Sequence, residues 1–151
     1  MDKNISLKNL TIITPFKDKS NKRLIETINC LIEQNLYLLV QHLIVYDASC
    51  ENILDIKEKF TSKKNYVIKF ISINEKGIYR AINKGLDLLK TEDYYIVIGA
   101  GDQIFLNDIK EILINNLLMC QYKLSSKNQK LNKLRNLYAG MPYCHNAMIF
   151  R

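Results

Sequence analysis

Two aspartates, Asp47 and Asp102, close short apolar runs of the kind that become buried strands. His42-Leu43-Ile44-Val45-Tyr46 leads into the first, and Tyr94-Tyr95-Ile96-Val97-Ile98 leads through Gly99-Ala100-Gly101 into the second. In an α/β protein, ligands gather at the carboxyl ends of parallel strands, and a carboxylate emerging between glycines can approach a bound cation without obstruction. At such a rim one carboxylate can accept hydrogen bonds from a base or ribose while the other holds Mg2+ or Mn2+ bridging two phosphates. Asp47 is the candidate for the first task and Asp102 for the second. A strand-end Asp is also a common turn or cap residue, so neither identifies a nucleotide site alone. More specific is what lies between them, the glycine-bounded helical run Glu75-Lys76-Gly77-Ile78-Tyr79-Arg80-Ala81-Ile82-Asn83-Lys84-Gly85. Here Tyr79 can stack on a base or sugar or pack on the core, and Lys84 can reach a phosphate or remain a solvated helix residue. Asn83 is a poor helix-interior residue unless its amide has a partner, which favours a polar task.

The elements that must position these residues are legible in the hydrophobic pattern. Leu10-Thr11-Ile12-Ile13-Thr14 is an apolar, β-branched run predicted to form a first strand that stops at Pro15. Ser20 or Asn21 can cap a following helix whose inward stripe is Leu24, Ile25, Ile28, Leu31 and Ile32. After the second strand, a polar turn from Ser49 to Asn52 precedes a stretch whose Ile53, Ile56, Lys57 and Phe60 suit a helix. Tyr66 to Ile73 gives a third strand, and Ile78, Ala81, Ile82, Leu86 and Leu89 define a helix returning to a fourth strand at Tyr94–Ile98. The alternation β-α-β-α-β-α-β predicts an α/β fold with a mostly parallel central sheet flanked by helices, a Rossmann-like nucleotide-binding half. Beyond Asp102, residues 108–119 read as a helix, and 122–138 as a Lys-rich amphipathic stretch with Leu124, Leu131, Leu134 and Tyr138 opposite Lys123, Lys127 and Lys130.

At 151 residues and 48% hydrophobic, the chain is long enough for one core, and no repeat or Pro/Gly-rich linker marks a second domain. Its net charge of +7 is uneven: no acid follows Glu111, while Lys123, Lys127, Lys130, Lys133, Arg135 and Arg151 all do. That asymmetry fits an anionic partner such as a phosphorylated ligand, an acidic lipid surface or nucleic acid, and equally a solvated Lys-rich face. The basic stretch has no interleaved aromatics and the chain no RNP, KH or zinc-finger pattern, so a nucleic-acid-binding module has only charge behind it and no nucleic-acid partner is expected. Amphipathic spacing allows residues 122–138 to lie on an anionic membrane. Cys30, Cys50, Cys120 and Cys144 form no C-x-x-C pair, which argues against a zinc site or a disulfide scaffold and for reduced thiols. Nowhere do about 18 apolar residues run together, so the expectation is a cytoplasmic, non-spanning protein, peripheral at most on the inner face of the cell membrane.

In order along the chain, these segments resemble the inverting nucleotide-sugar glycosyltransferases of family 2, which have the GT-A fold. Thr14-Pro15-Phe16 resembles the first-strand exit near the nucleotide, and Tyr46-Asp47-Ala48-Ser49 the D-G-S type turn whose Asp contacts the nucleoside. Residues 75–85 closely resemble the D-K-G-I-Y-D-A-M-N-K-G segment of a bacterial polysaccharide-synthesis branch. Ala100-Gly101-Asp102 is similar to the S-G-D form of that branch's metal-binding D-x-D motif, and Met141-Pro142-Tyr143-Cys144-His145-Asn146 to its P-x-C-H-Q segment.

The resemblance implies transfer of a sugar from a nucleotide-diphosphate donor, a UDP-sugar first among them, to a cell-surface polysaccharide or lipid-linked acceptor, assisted by Mg2+ or Mn2+. It places Thr14, Pro15, Asp47, Tyr79, Asn83 and Lys84 at the nucleotide, Asp102 at the metal, and His145 as the catalytic base or a metal contact. It also divides a single domain, 1–151, into a nucleotide-sugar part at 10–102 and a shorter basic, helical acceptor-side part at 103–151. The chain departs from the pattern at Ala100, which supplies no oxygen, at Arg80, where the family has an acid, and at Asn146, where it has Gln. The stretch from Asp102 to His145 is also shorter than the family's. A catalytically inactive or fragmentary member that only binds nucleotide is therefore the alternative reading.

Overall fold

The computed structural model describes residues 9–36, 38–90, 94–106, 119–121 and 148–150. Its elements are β1 (Leu10–Phe16), α1 (Lys22–Ile32), β2 (Val40–Asp47), α2 (Ile53–Lys59), β3 (Tyr66–Ile73), α3 (Ile78–Leu86), β4 (Tyr94–Val97), β5 (Met119–Gln121) and β6 (Met148–Phe150). The sheet order is β3-β2-β1-β4-β6-β5, with β1 to β4 parallel and β6 antiparallel to both β4 and β5. The chain steps outward from β1 to β3, and α3 then carries it back to β4 on the far side of β1. The strand order reverses between β1 and β4, and the carboxyl edge beside such a reversal is where open α/β sheets bind ligands.

Side-chain alternation assigns the two faces. Leu10, Ile12, Phe16, Ile44, Tyr46, Tyr66 and Ile68 pack with Leu24, Ile28 and Leu31 of α1 and Ile53 and Ile56 of α2. The intervening Ile13, Leu43 and Val45 pack with Ala81 of α3 on the opposite face. Each fully buried Leu or Ile contributes roughly 1.5–3 kcal/mol, which makes these two layers the main source of stability. The seat of α3 is close: a Cβ on Gly85 would lie 2.7 Å from Cγ2 of the fully buried Ile13, so only glycine lets the helix backbone rest on β1 there.

Three expectations are corrected. β1 does not stop at Pro15 but runs to Phe16, its register with β2 continuing through Pro15↔Val45 and Phe16↔Tyr46. Pairing with β4 ends at Ile13↔Val97, so beyond that point β1 has a strand on one side only, where a proline without an N–H is tolerated. Ile78 does not join the inward stripe and is 59% exposed at the start of α3. Met119, placed by its pattern at the end of a helix, begins β5, and the β5–β6 pair makes the sheet mixed. Residues 108–118 and 122–138, read as helical, lie outside the described residues.

A polar cluster sits inside the first layer. His42 is fully buried, with Nε2 2.8 Å from Thr14 Oγ1 and Nδ1 2.6 Å from the Tyr66 hydroxyl. A neutral imidazole has one donor and one acceptor and can satisfy both hydroxyls. Burial pushes its pKa down to about 3, keeping the ring neutral, and the three side chains tie β1, β2 and β3 together.

Candidate functional site

At the carboxyl edge, the exits of three neighbouring strands and the start of α3 enclose a cleft of about 210 Å³. Pro15, Phe16 and Lys17 come from β1, Asp47 from β2, Ile73 and Glu75 from β3, and Gly77, Ile78 and Ala81 from α3. The loops that carry the first two strand exits are tied together by the residues opening their helices. Asn21 Nδ2 donates to Asn52 O at 2.6 Å, and Asn52 Nδ2 returns a bond to Asn21 Oδ1 at 2.6 Å. Asn21, foreseen as a cap for α1, thus ties α1 to α2, while Ser20 Oγ accepts the Lys22 N–H at 3.3 Å. Gly77 carries φ +124°, a conformation that strains any other residue, and it turns the chain so that α3 begins against the cleft. The positive end of the helix dipole therefore borders the space.

Asp47 is the charged centre of the cleft. Its Oδ1 accepts the Ser49 N–H at 3.0 Å and the Ser49 hydroxyl at 2.7 Å. Its Oδ2 stands 3.1 Å from Lys17 Nζ as an ion pair, and only 11% of the side chain is exposed. Oδ2 is itself closed off from solvent, with the Lys17 ammonium as its neighbour. The Ser49 bonds, with the Lys17 ammonium beside them, hold the carboxyl down at about 2, so Asp47 is ionised throughout the physiological range. On the cleft's outer wall, Glu75 is paired with Arg80, which matches the charge reversal at position 80 with a local partner.

A second hollow of about 460 Å³ adjoins the first, between Ser72, Ile73, Asn74 and Glu75 at the β3 exit and Arg80, Asn83, Lys84 and Asp87 of α3 and its end. Asn83 and Lys84 thus line this second hollow rather than the first, with Ile73 and Glu75 shared by both. Tyr79 is 78% exposed and lines neither. Thr14 corrects its expectation as a direct contact: its hydroxyl is committed to His42 in the core, so it supports the rim from beneath.

Asp102 ends a tight turn. Its N–H bonds to Gly99 O at 3.1 Å, Gly101 in the third position has φ +98°, and its Oδ2 accepts the Gly99 N–H at 2.7 Å. The turn hangs on α1 through Thr27, whose Oγ1 donates to Asp102 O at 2.9 Å and accepts the Gly101 N–H at 2.9 Å. Gln34 extends the attachment, donating to Ile104 O at 2.7 Å and accepting the Leu106 N–H at 2.8 Å. Among the described residues, no group of three or more His, Cys, Asp or Glu could hold a metal ion. Asp102 offers the hard carboxylate oxygen that Mg2+ or Mn2+ prefers, and such an ion would complete its shell with phosphate and water.

The structure therefore brings Pro15 and Asp47 together in the cleft, sets Asn83 and Lys84 in the next hollow and holds Asp102 on a separate turn, while His145 lies outside the described residues. Sequence reasoning passed over Lys17, Glu75 and Thr27 as working residues. Thr27 had a readable signal, a polar residue on the apolar stripe of α1 between Leu24 and Ile28, where only a partnered hydroxyl is tolerated. Lys17 had none, because a lysine after a strand end is ordinary until its partner is seen.

The family model for glycosyl transferase family 2 matches residues 11–118. No curated protein matches the chain. Among solved structures, S. aureus TarS 1–349 superposes with a TM-score of 0.69 at 17% identity, covering 95% of this chain and 47% of that one. TarS 1–349 in complex with UDP gives 0.68 at 16% identity, with 95% and 46% covered, and in complex with UDP-GlcNAc 0.67 at 18%, with 95% and 45% covered. The likeness shows a GT-A-like fold, and this chain spans about half the length of those TarS structures.

Proposed function

Because this chain belongs to glycosyl transferase family 2, we propose that its cleft is the donor site of a glycosyltransferase that moves a sugar from a nucleoside diphosphate, UDP first, to a hydroxyl of a cell-surface polysaccharide or lipid-linked acceptor. The observation that carries the reading is Asp47, an ionised carboxylate fixed by Ser49 at the back of a cleft of about 210 Å³ on the ligand-binding edge of the sheet. It can accept hydrogen bonds from a base N–H or ribose hydroxyls, with Pro15, Phe16, Ile73 and Ile78 as apolar walls. The TarS structures holding UDP and UDP-GlcNAc support the choice of donor class.

In the reaction the acceptor oxygen attacks the anomeric carbon from the face opposite the diphosphate. The new carbon–oxygen bond forms as the bond to the phosphate oxygen breaks, and the electron pair leaves with the nucleoside diphosphate. The acceptor proton passes to a base, a role that the sequence assigns to His145. When bound at Asp102, Mg2+ or Mn2+ supplies positive charge against the leaving diphosphate. Tyr79, Asn83 and Lys84, around α3, are assigned to the donor's sugar and phosphate side. Residues 10–102 form the donor part and 103–151 the acceptor side, with 122–138 resting on an anionic membrane at its cytoplasmic face. Among the described residues no helix is long and apolar enough to cross a membrane.

A second reading, nucleotide binding without transfer, is favoured by Ala100, which leaves the metal a single carboxylate from this motif. Thermal melting against UDP, GDP, CDP and dTDP, with and without Mn2+, tests the donor site. A nucleotide at 100 times its Kd adds about 2.7 kcal/mol, several degrees in Tm. One nucleotide is expected to shift the wild type in a Mn2+-dependent way and to lose that dependence in Asp102→Asn, which can keep the bond to Gly99. A cooperative melt that no nucleotide moves rules the donor site out. Transfer from a labelled UDP-sugar then separates the two readings.

A further inference from the structure

The geometry points to Lys17 as the cation that receives the donor's diphosphate, giving up Asp47 to the nucleoside as it does so. This deepens the donor-site reading above and rests on it. Lys17 is the first residue after β1, and β1 lies between β2, which ends in Asp47, and β4, whose exit leads to Asp102. A nucleoside diphosphate that reaches from one aspartate toward the other must cross the end of β1, where Lys17 stands and lines the cleft.

Without ligand, Lys17 Nζ is 3.1 Å from Asp47 Oδ2 while 58% of its side chain remains exposed. An ion pair made by so solvated a lysine is weak and readily exchanged. The carboxylate oxygen is in the opposite condition, closed off from solvent and held by the Lys17 ammonium alone. A buried acceptor that gives up its one donor needs another to replace it. A ribose hydroxyl or base N–H supplies that donor, and the ammonium, on a flexible four-carbon stem, swings to the phosphate. Lys17 then has an anionic partner in the phosphate, and Oδ2 keeps a hydrogen-bond donor in the nucleoside. An uncharged nucleoside completes only half of the exchange, because it takes Asp47 and leaves Lys17 without an anion. Lys17 therefore makes the cleft select the diphosphate over its nucleoside.

The test is calorimetric titration of the chain with UDP and with uridine, or with the diphosphate and nucleoside pair that the melting screen selects, in wild type, Lys17→Gln and Lys19→Gln. Lys17→Gln is expected to weaken UDP about tenfold or more while uridine binds as well as before or better. Lys19→Gln, on an exposed residue of the same loop, is expected to leave both within about twofold. Equal weakening of UDP and uridine in Lys17→Gln would show that Lys17 only scaffolds Asp47 and would overturn the assignment, as would unchanged UDP binding. If no diphosphate binds the wild type at all, the donor-site reading falls first and takes this one with it.

Discussion

Asp47 ends β2 and Asp102 lies five residues beyond the end of β4, both on the carboxyl side of the parallel strands, and the fold holds them in different ways. At Asp47, Ser49 fixes Oδ1, while Oδ2 is closed off from solvent beside the Lys17 ammonium. Asp102 is folded into its own turn, one carboxylate oxygen on the Gly99 amide and its main chain on Thr27. The first arrangement leaves one oxygen to an exchangeable ammonium, whereas the second fixes where a carboxylate sits and engages part of it. Each aspartate takes an N–H from its own turn, and what separates them is the lysine beside Asp47 and the Thr27 hydroxyl behind Asp102.

The comparison breaks most readily at Asp47. If the cleft is the donor site, Asp47→Asn removes the charge that would face the nucleoside and leaves Lys17 without its anion, and it should weaken nucleotide binding about 10–100-fold in calorimetric titration. A variant that binds as well as wild type would make the two aspartates equivalent after all. At the other end the effect should fall on the scaffold first. Thr27→Val keeps the shape of the side chain but strands the Gly101 N–H and the Asp102 carbonyl, and it should cost about 1–3 kcal/mol in denaturant unfolding. It should also erode the Mn2+-dependent part of nucleotide binding while sparing the metal-independent part. The smallest effect concerns protons. The Asp47 carboxyl sits at about 2 against an ordinary 3.8, so its contribution to stability is complete above the ordinary value and is lost as pH falls through about 2. Ser49→Ala should move the Asp47 titration upward in a carboxyl NMR experiment.

Much of the parallel half was legible because its signals are local. The continuous apolar runs of β2 and β3 and the helical spacing of Leu24, Ile28 and Leu31 need no knowledge of distant partners. Where partners decide the outcome, the pattern failed. Pro15 reads as a stop until it is known that β4 has already ended beside it, and Met119 reads as helix until its pairing with Phe150 is seen. The site divides the same way. Asp47 and Pro15 were recognisable from their positions in motifs, and both line the cleft. Thr14, in the same motif, was drawn into the core by a histidine 28 residues away, and Lys17 acquired a task only through an aspartate on the neighbouring strand.

The antiparallel pairing of β6 with β4 has a consequence for the order in which the molecule is made. Tyr95 meets Phe150 across the ladder, a partner 55 residues further along the chain. At roughly 5–20 residues per second, a ribosome needs several seconds to supply it. Through that interval β4 has β1 on one side and an open row of backbone donors and acceptors on the other, the state in which a sheet edge recruits strands from other molecules. Closing so long a loop also makes this contact slow to form relative to the local β-α-β units. The β1-to-β4 half and its cleft therefore stand to be assembled well before that edge is sealed.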